Sequence, residues 1–238
     1  MRGDELIVAL FATEETSLQD HLDMQLPTTS TLSSDIAARG VLLIDGYYLK
    51  KATREVNIRT GRKRRRVDFA LLEKYLTTRV GVVFAEKFWF DATPEETAPS
   101  YSSFLRNIQC LGYRCPTYHL KSITRKMVCD HCRHDCTVSV TSQDRVDAGI
   151  VTQILLAAHS PTVTDIVLIS GDSDFCEQVE IAKQKGKRVW LLSLPTSLSP
   201  ELRSLVGPSF ISLVEAWPEI QFGEERTAWS TLPLSKHV

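Results

Sequence analysis

The chain's 238 residues, 43% of them apolar, can bury one substantial core and little more than a small appendage. Its 28 Lys and Arg against 29 Asp and Glu leave a formal net charge of −1, so bulk charge draws it to neither nucleic acid nor an anionic membrane. No run approaches about 18 uninterrupted apolar residues, so no transmembrane helix and no membrane partner are expected.

Residues 1–38 read as an N-terminal extension. The apolar stretch 6–12 is flanked by Asp4, Glu5, Glu14 and Glu15, the wrong setting for a signal peptide. The Ser/Thr-rich run 26–34 has the composition of a linker. Residues 41–45 are a short apolar strand with Gly46 at its end, and 67–78 a helix with Phe69, Leu72, Tyr75 and Leu76 on one face. A second strand covers 82–90, ended by Asp91 and Pro94. Tyr101, Phe104, Leu105 and Ile108 follow at helical spacing until Gly112, and 113–120 is a third strand. A small Cys-rich hairpin insertion occupies 126–140. Then come a helix over 147–158, a strand at 165–170, a helix over 174–185 stopped by Gly186, and a strand at 188–194. A helix at 200–206 and a strand at 210–213 close the domain, placed at 39–216, and the tail 217–238 shows no periodicity. Such alternation predicts an α/β fold, a mostly parallel sheet with helices on both faces.

Four aspartates stand where that fold puts its sites. Asp45 ends the first strand, Asp147 opens a helix, and Asp172 and Asp174 follow the strand ending at Ser170. Carboxylates at the C-terminal ends of parallel strands converge on one edge of the sheet. Acids gathered without matching bases repel one another unless divalent cations neutralise them, which points to a metal site. Asp174 also stands where the next helix needs an N-cap. No Ser-His-Asp grouping, Walker A loop or dinucleotide glycine fingerprint is evident.

Ile44-Asp45-Gly46-Tyr47-Tyr48-Leu49, then Phe90-Asp91-Ala92, then Val146-Asp147-Ala148-Gly149, then Ile169-Ser170-Gly171-Asp172-Ser173-Asp174-Phe175 and Lys185-Gly186-Lys187-Arg188-Val189-Trp190 occur in that order, with Phe210-Ile211-Ser212-Leu213 closing the set. Together they resemble the NYN domain, the LabA-type branch of the PIN-like nucleases, over roughly residues 40–215. The resemblance implies a PIN-like, Rossmannoid fold and a metal-dependent ribonuclease hydrolysing RNA phosphodiesters with Mg²⁺ or Mn²⁺. Asp45, Asp147 and Asp172 would hold the metal and carry catalysis, with Asp174 a further ligand or a group behind the ligands. Two positions depart from the pattern: Tyr48 replaces the usual Asn three residues after the first Asp, and Gln153 replaces an acid six residues after Asp147. A non-catalytic RNA-binding or regulatory module therefore stands as the alternative, and a phosphatase on a similar sheet as a third reading.

Residues 59–66, RTGRKRRR, put six cations in eight positions, expected on a loop near the acidic edge. Arg59, Arg62, Lys63, Arg64, Arg65 and Arg66 are candidate phosphate contacts, a nuclear-localisation signal, or a solvated run. Tyr47 and Tyr48 can stack on bases, or one of them can be buried. Cys129-x2-Cys132, with Cys136, His131 and His134 beside it, is a structural zinc pattern, with Cys110 and Cys115 as a second pair or as ordinary buried residues. Asp91 reads as a strand end and His159 as a helix cap. Cys176 reads as buried, and Glu177 as a reach for a second metal. The local, clustered cysteines favour reduced thiols and hence an intracellular, cytoplasmic protein. RNA is the expected partner; a homodimer or a protein partner stays open.

Overall fold

The computed structural model describes residues 38–61, 65–93, 98–119, 121–129, 131–142 and 145–222. The expected extension up to residue 37, the cations Arg62, Lys63 and Arg64, and the tail from 223 lie outside the described residues. Strand β1 (Arg39–Asp45) leads into α1 (Gly46–Arg59) and α2 (Phe69–Val80). After β2 (Val83–Thr93) and α3 (Pro99–Cys110) come two short strands, β3 (Tyr113–Arg114) and β4 (Thr117–His119). A hairpin, β5 (Lys121–Val128) and β6 (Asp135–Ser142), precedes α4 (Val146–His159) and β7 (Asp165–Ile169). A 3-10 turn, Ser173–Phe175, opens α5 (Cys176–Gln184), and β8 (Arg188–Ser193), α6 (Pro200–Val206), β9 (Phe210–Ser212) and α7 (Leu213–Ile220) complete the order.

Seven strands form one sheet in the order β3-β2-β1-β7-β8-β9, with β4 pairing further along β2. Every pairing in it is parallel. β1 is central and buried at every residue but its first. Its side chains alternate between faces, so both faces must be covered. Leu42 and Ile44 pack with Trp89, Val167 and Leu192 under α1, α2, α3 and α7. Val41 and Leu43 pack with Phe88, Phe90, Ile166 and Leu168 under α4, α5 and α6. The doubly covered, parallel sheet that the alternation predicts is present.

Helix α1 was not expected, because its surface is crowded with Lys50, Lys51, Arg54 and Glu55. Leu49, Ala52 and Val56 nevertheless bury one stripe at i, i+3 and i+7. The expected third strand splits in two at Cys115-Pro116, since proline has no N–H to give the ladder. β2 runs on through Asp91 to Thr93 instead of stopping before it. The aperiodic tail begins later than expected: Leu213, Ala216, Trp217 and Ile220 form the buried stripe of α7. A boundary drawn at 216 cuts that stripe in half and hides it. The hairpin is longer than the expected 126–140, with eight paired residues on each strand. Among the described residues, no helix is long and apolar enough to cross a membrane.

Candidate active site at the C-terminal edge of the sheet

β1 and β7 lie side by side. The chain leaving β1 crosses one face to reach β2, while that leaving β7 crosses the other to reach β8. Adjacent strands whose connections part in this way open a crevice beyond their C-terminal ends. Asp45 and Ser170 sit at its mouth. Asp45 is the N-cap of α1, its Oδ1 accepting the Tyr48 N–H at 2.9 Å, and its Oδ2 accepts the Ser170 hydroxyl at 3.1 Å. Gly46 is required here, because a Cβ would come within 2.6 Å of the Trp89 ring and 2.8 Å of the Phe90 carbonyl oxygen.

Burial pushes the Asp45 carboxyl up to about 6, and the charges of Asp147 and Asp91 add to the rise against the opposing bonds from Tyr48 and Ser170. Asp147, in the first turn of α4, is raised as well, by partial burial first and then by Asp172 and Asp174. Asp172 and Asp174 are exposed on the turn after β7. The structure thus brings all four sequence candidates within electrostatic reach of one another through Asp147. Among the described residues, no base forms an ion pair with any of them. Nor do three His, Cys, Asp or Glu side chains stand close enough to enclose an ion directly. Capping falls to Asp172, whose Oδ1 accepts the Asp174 N–H at 3.1 Å, and not to Asp174. Glu177 lies exposed in the first turn of α5.

Asp45 and Asp172 open onto a cleft of about 450 Å³, lined also by Tyr47, Lys51, Gly171, Ser173 and the 197–199 loop. The two tyrosines divide. Tyr47 is 56% exposed at the cleft, as a stacking platform would be. The Tyr48 hydroxyl is 2.6 Å from Ser193 Oγ and 3.0 Å from Ser197 Oγ, and it accepts the Leu194 N–H at 2.9 Å. It therefore braces the 194–199 loop and is not free to stack. A Cβ on Gly171 would meet that ring at 2.7 Å and the Ser197 carbonyl oxygen at 2.4 Å, so loop and turn close together only over glycine.

The described part of the basic run, Arg59, Arg65 and Arg66, is not beside the acids. It begins at the far end of α1, whose 14 residues span about 21 Å. Arg59 pairs with Glu55 at 2.8 Å, and the Arg65 carbonyl is held by Asn57 at 2.8 Å. Arg65 and Arg66 run alongside Phe222.

Asp91 was read as a strand end, and Lys50 was not singled out. Asp91 follows Phe90, the register partner of Asp45, and is 3% exposed. Its Oδ2 accepts Lys50 Nζ at 2.7 Å and the Tyr101 hydroxyl. Among the described residues, its Oδ1 has no hydrogen-bond partner. The Lys50 ammonium, half exposed, lies 5.6 Å from the centre of the Tyr101 ring. Burial, and then the bond to Asp91, holds the Tyr101 phenol far above its usual range, so it stays a donor. The available signal was an acid near the end of the adjacent strand, legible only once β2 is known to lie beside β1.

Of the cysteines, Cys129 and Cys132 sit at the hairpin tip, Cys110 ends α3, and Cys115 is half-buried between β3 and β4. Burial pushes the Cys115 thiol up to about 11, which suits an ordinary interior residue rather than a thiolate ligand. Cys176 is partly buried near Ser199 and Glu201. His159 bonds the Leu155 carbonyl at the end of α4.

A doubly wound parallel sheet with carboxylates gathered at its switch point defines an acid-edged α/β protein. Residues 39–214 match the family model of the NYN domain, and the chain belongs to that family, a group of PIN-like nucleases. Its fold is similar to the crystal structure of VPA0982, a protein of unknown function from Vibrio parahaemolyticus RIMD 2210633. The TM-score is 0.55 at 20% identity, over 76% of this chain and 96% of that one, a likeness of fold alone. No curated protein matches the chain.

Proposed function

We propose that the chain is a metal-dependent ribonuclease acting at the edge formed by Asp45, Asp147, Asp172 and Asp174. The observation that carries this reading is the gathering of acids with no ion-paired base among the described residues, Asp147 feeling the charges of Asp172 and Asp174 and Asp45 that of Asp147. The donors are all oxygens, which suits Mg²⁺ or Mn²⁺. Since no three of them close on one point, the fit is to a cation held by one or two carboxylates, its remaining positions filled by waters and substrate phosphate. Such a cation would polarise a phosphate oxygen and lower the pKa of a bound water.

The chain's own residues do the rest. Lys50, held by Asp91, would meet a phosphate oxygen of the strand being held. Lys51 and the exposed face of Tyr47 line the cleft for a neighbouring nucleotide, by charge and by stacking. Ser170 and the Tyr48 N–H keep both Asp45 oxygens oriented. Arg65 and Arg66, beyond the far end of α1, serve a trailing part of a longer RNA rather than the bond being cut.

One observation favours a binding module instead: Tyr48, bonded to Ser193 and Ser197, fills the place of the family's Asn without presenting an amide to the acids. Incubating end-labelled RNA with Mn²⁺ or Mg²⁺, beside EDTA and Asp172→Asn, separates the two. Asn retains the cap that Asp172 makes, so the variant loses charge and not the turn. Metal-dependent cutting abolished by Asp172→Asn is expected. RNA bound but uncut by folded wild type would move the assignment to the binding module.

A further inference from the structure

Among the described residues, the β5–β6 hairpin forms a two-stranded sheet of its own. A two-stranded hairpin is marginal in water without something to fasten it. Its tip is built unlike an ordinary turn. Cys129 donates its N–H to the His134 carbonyl at 2.9 Å and accepts the Arg133 N–H at 2.8 Å. Arg133 takes a left-handed φ of 58°, uncommon for a residue with a side chain. The turn so formed points the His131 and Cys132 N–H groups, and the Cys132 thiol, at the Cys129 sulfur.

Register supplies the remaining donors. Val128 pairs with Asp135 and Met127 with Cys136, so Cys129 falls opposite His134. Alternation places positions 129, 134 and 136 on one face of the ribbon, with position 132 in the turn above them. Cys132 and His134 are exposed, and no disulfide consumes Cys129 or Cys132.

We propose that this tip is a zinc site, with Cys129, Cys132, His134 and Cys136 as the four ligands and the metal as the hairpin's clip. Thiolates and imidazole select zinc over the hard cation suited to the aspartates. Among the described residues, no three such donors stand at metal distance. Binding at the tip would release thiol protons, so zinc uptake weakens as pH falls. This site is independent of the nuclease reading and survives its failure.

The test loads the full chain, under reducing conditions, with Zn²⁺ or with Co²⁺ as a coloured substitute. About one tightly held zinc per chain is expected, and a cobalt spectrum with thiolate charge-transfer bands and tetrahedral d–d bands. Cobalt at the acidic edge would lack those sulfur bands, so the two sites are told apart. Cys129→Ser with Cys132→Ser should lose zinc and bands, whereas Cys176→Ser, outside the hairpin, should keep both. Wild type that holds no zinc and shows no sulfur bands would overturn the proposal, without recourse to any variant. So would full zinc content in the double variant. Half a zinc per chain in an associated pair would overturn the single-chain ligand set.

Discussion

Asp45 carries three jobs at once: cap of α1, hydrogen-bond partner of Ser170, and the most buried acid of the edge. Its carboxyl stands at about 6 when folded, against an ordinary 3.8. Between those values the folded state binds more protons than the unfolded, so metal-free stability falls as pH rises through that window. The full penalty above pH 6 is about 3 kcal/mol. Urea unfolding in EDTA should show wild type losing stability from pH 4 to 7, and Asp45→Asn, which keeps the cap, losing much less. An identical pH dependence in the two proteins would place the buried charge elsewhere. RNA cutting should correspondingly rise with pH through about 6, as Asp45 ionises. Lys50 is a second residue-scale test. Lys50→Met should weaken RNA binding in EDTA and lower the salt slope by about 0.7, the share of one phosphate on a single strand. An unchanged slope would make the Lys50–Asp91 pair structural only.

At the scale of elements, the apolar strands and the helix 200–206 were plain in the sequence, because short apolar runs and a Ser199-Pro200 start are local signals. Helices α1 and α7 were not, since their buried stripes are narrow and one was cut by an assumed boundary. The start of β7 shows what local reading misses in energetics. Asp165 is fully buried, yet it accepts from Arg188 Nε at 2.8 Å, Trp190 Nε1 at 2.9 Å and Thr164 Oγ1 at 2.7 Å. Three donors from two adjacent strand starts make it the tie between β7 and β8, at the sheet end away from the acids. Removing it strands an arginine and an indole N–H, so Asp165→Ala should cost about 3 kcal/mol in thermal or urea unfolding. A loss under about 1 kcal/mol would mean water replaces the carboxylate without strain.

At the scale of the whole molecule, sequence spacing located the four aspartates because each lies at a strand end or helix start, positions a pattern can find. It set the start of the basic run near the acids, whereas Arg59 lies at the far end of α1, because the distance of a loop from a site depends on which way the intervening helix runs. It passed over Asp91, because its nearness to Asp45 is a matter of strand order, with β2 beside β1. It left Tyr48 open, because the ring's partners are about 145 residues away in sequence. Local chemistry is legible in a sequence; adjacency across a sheet is not. A divalent cation is expected to hold the acids at this edge together. Mn²⁺ binding, followed by electron paramagnetic resonance on the full chain in the presence of Zn²⁺ to saturate any thiolate site, tests it without relying on turnover. Saturable Mn²⁺ binding that Asp45→Asn and Asp172→Asn each weaken tenfold or more, about 1.4 kcal/mol, is the predicted result. Wild type that binds no Mn²⁺ at millimolar concentration, or variants that bind it unchanged, would contradict the account.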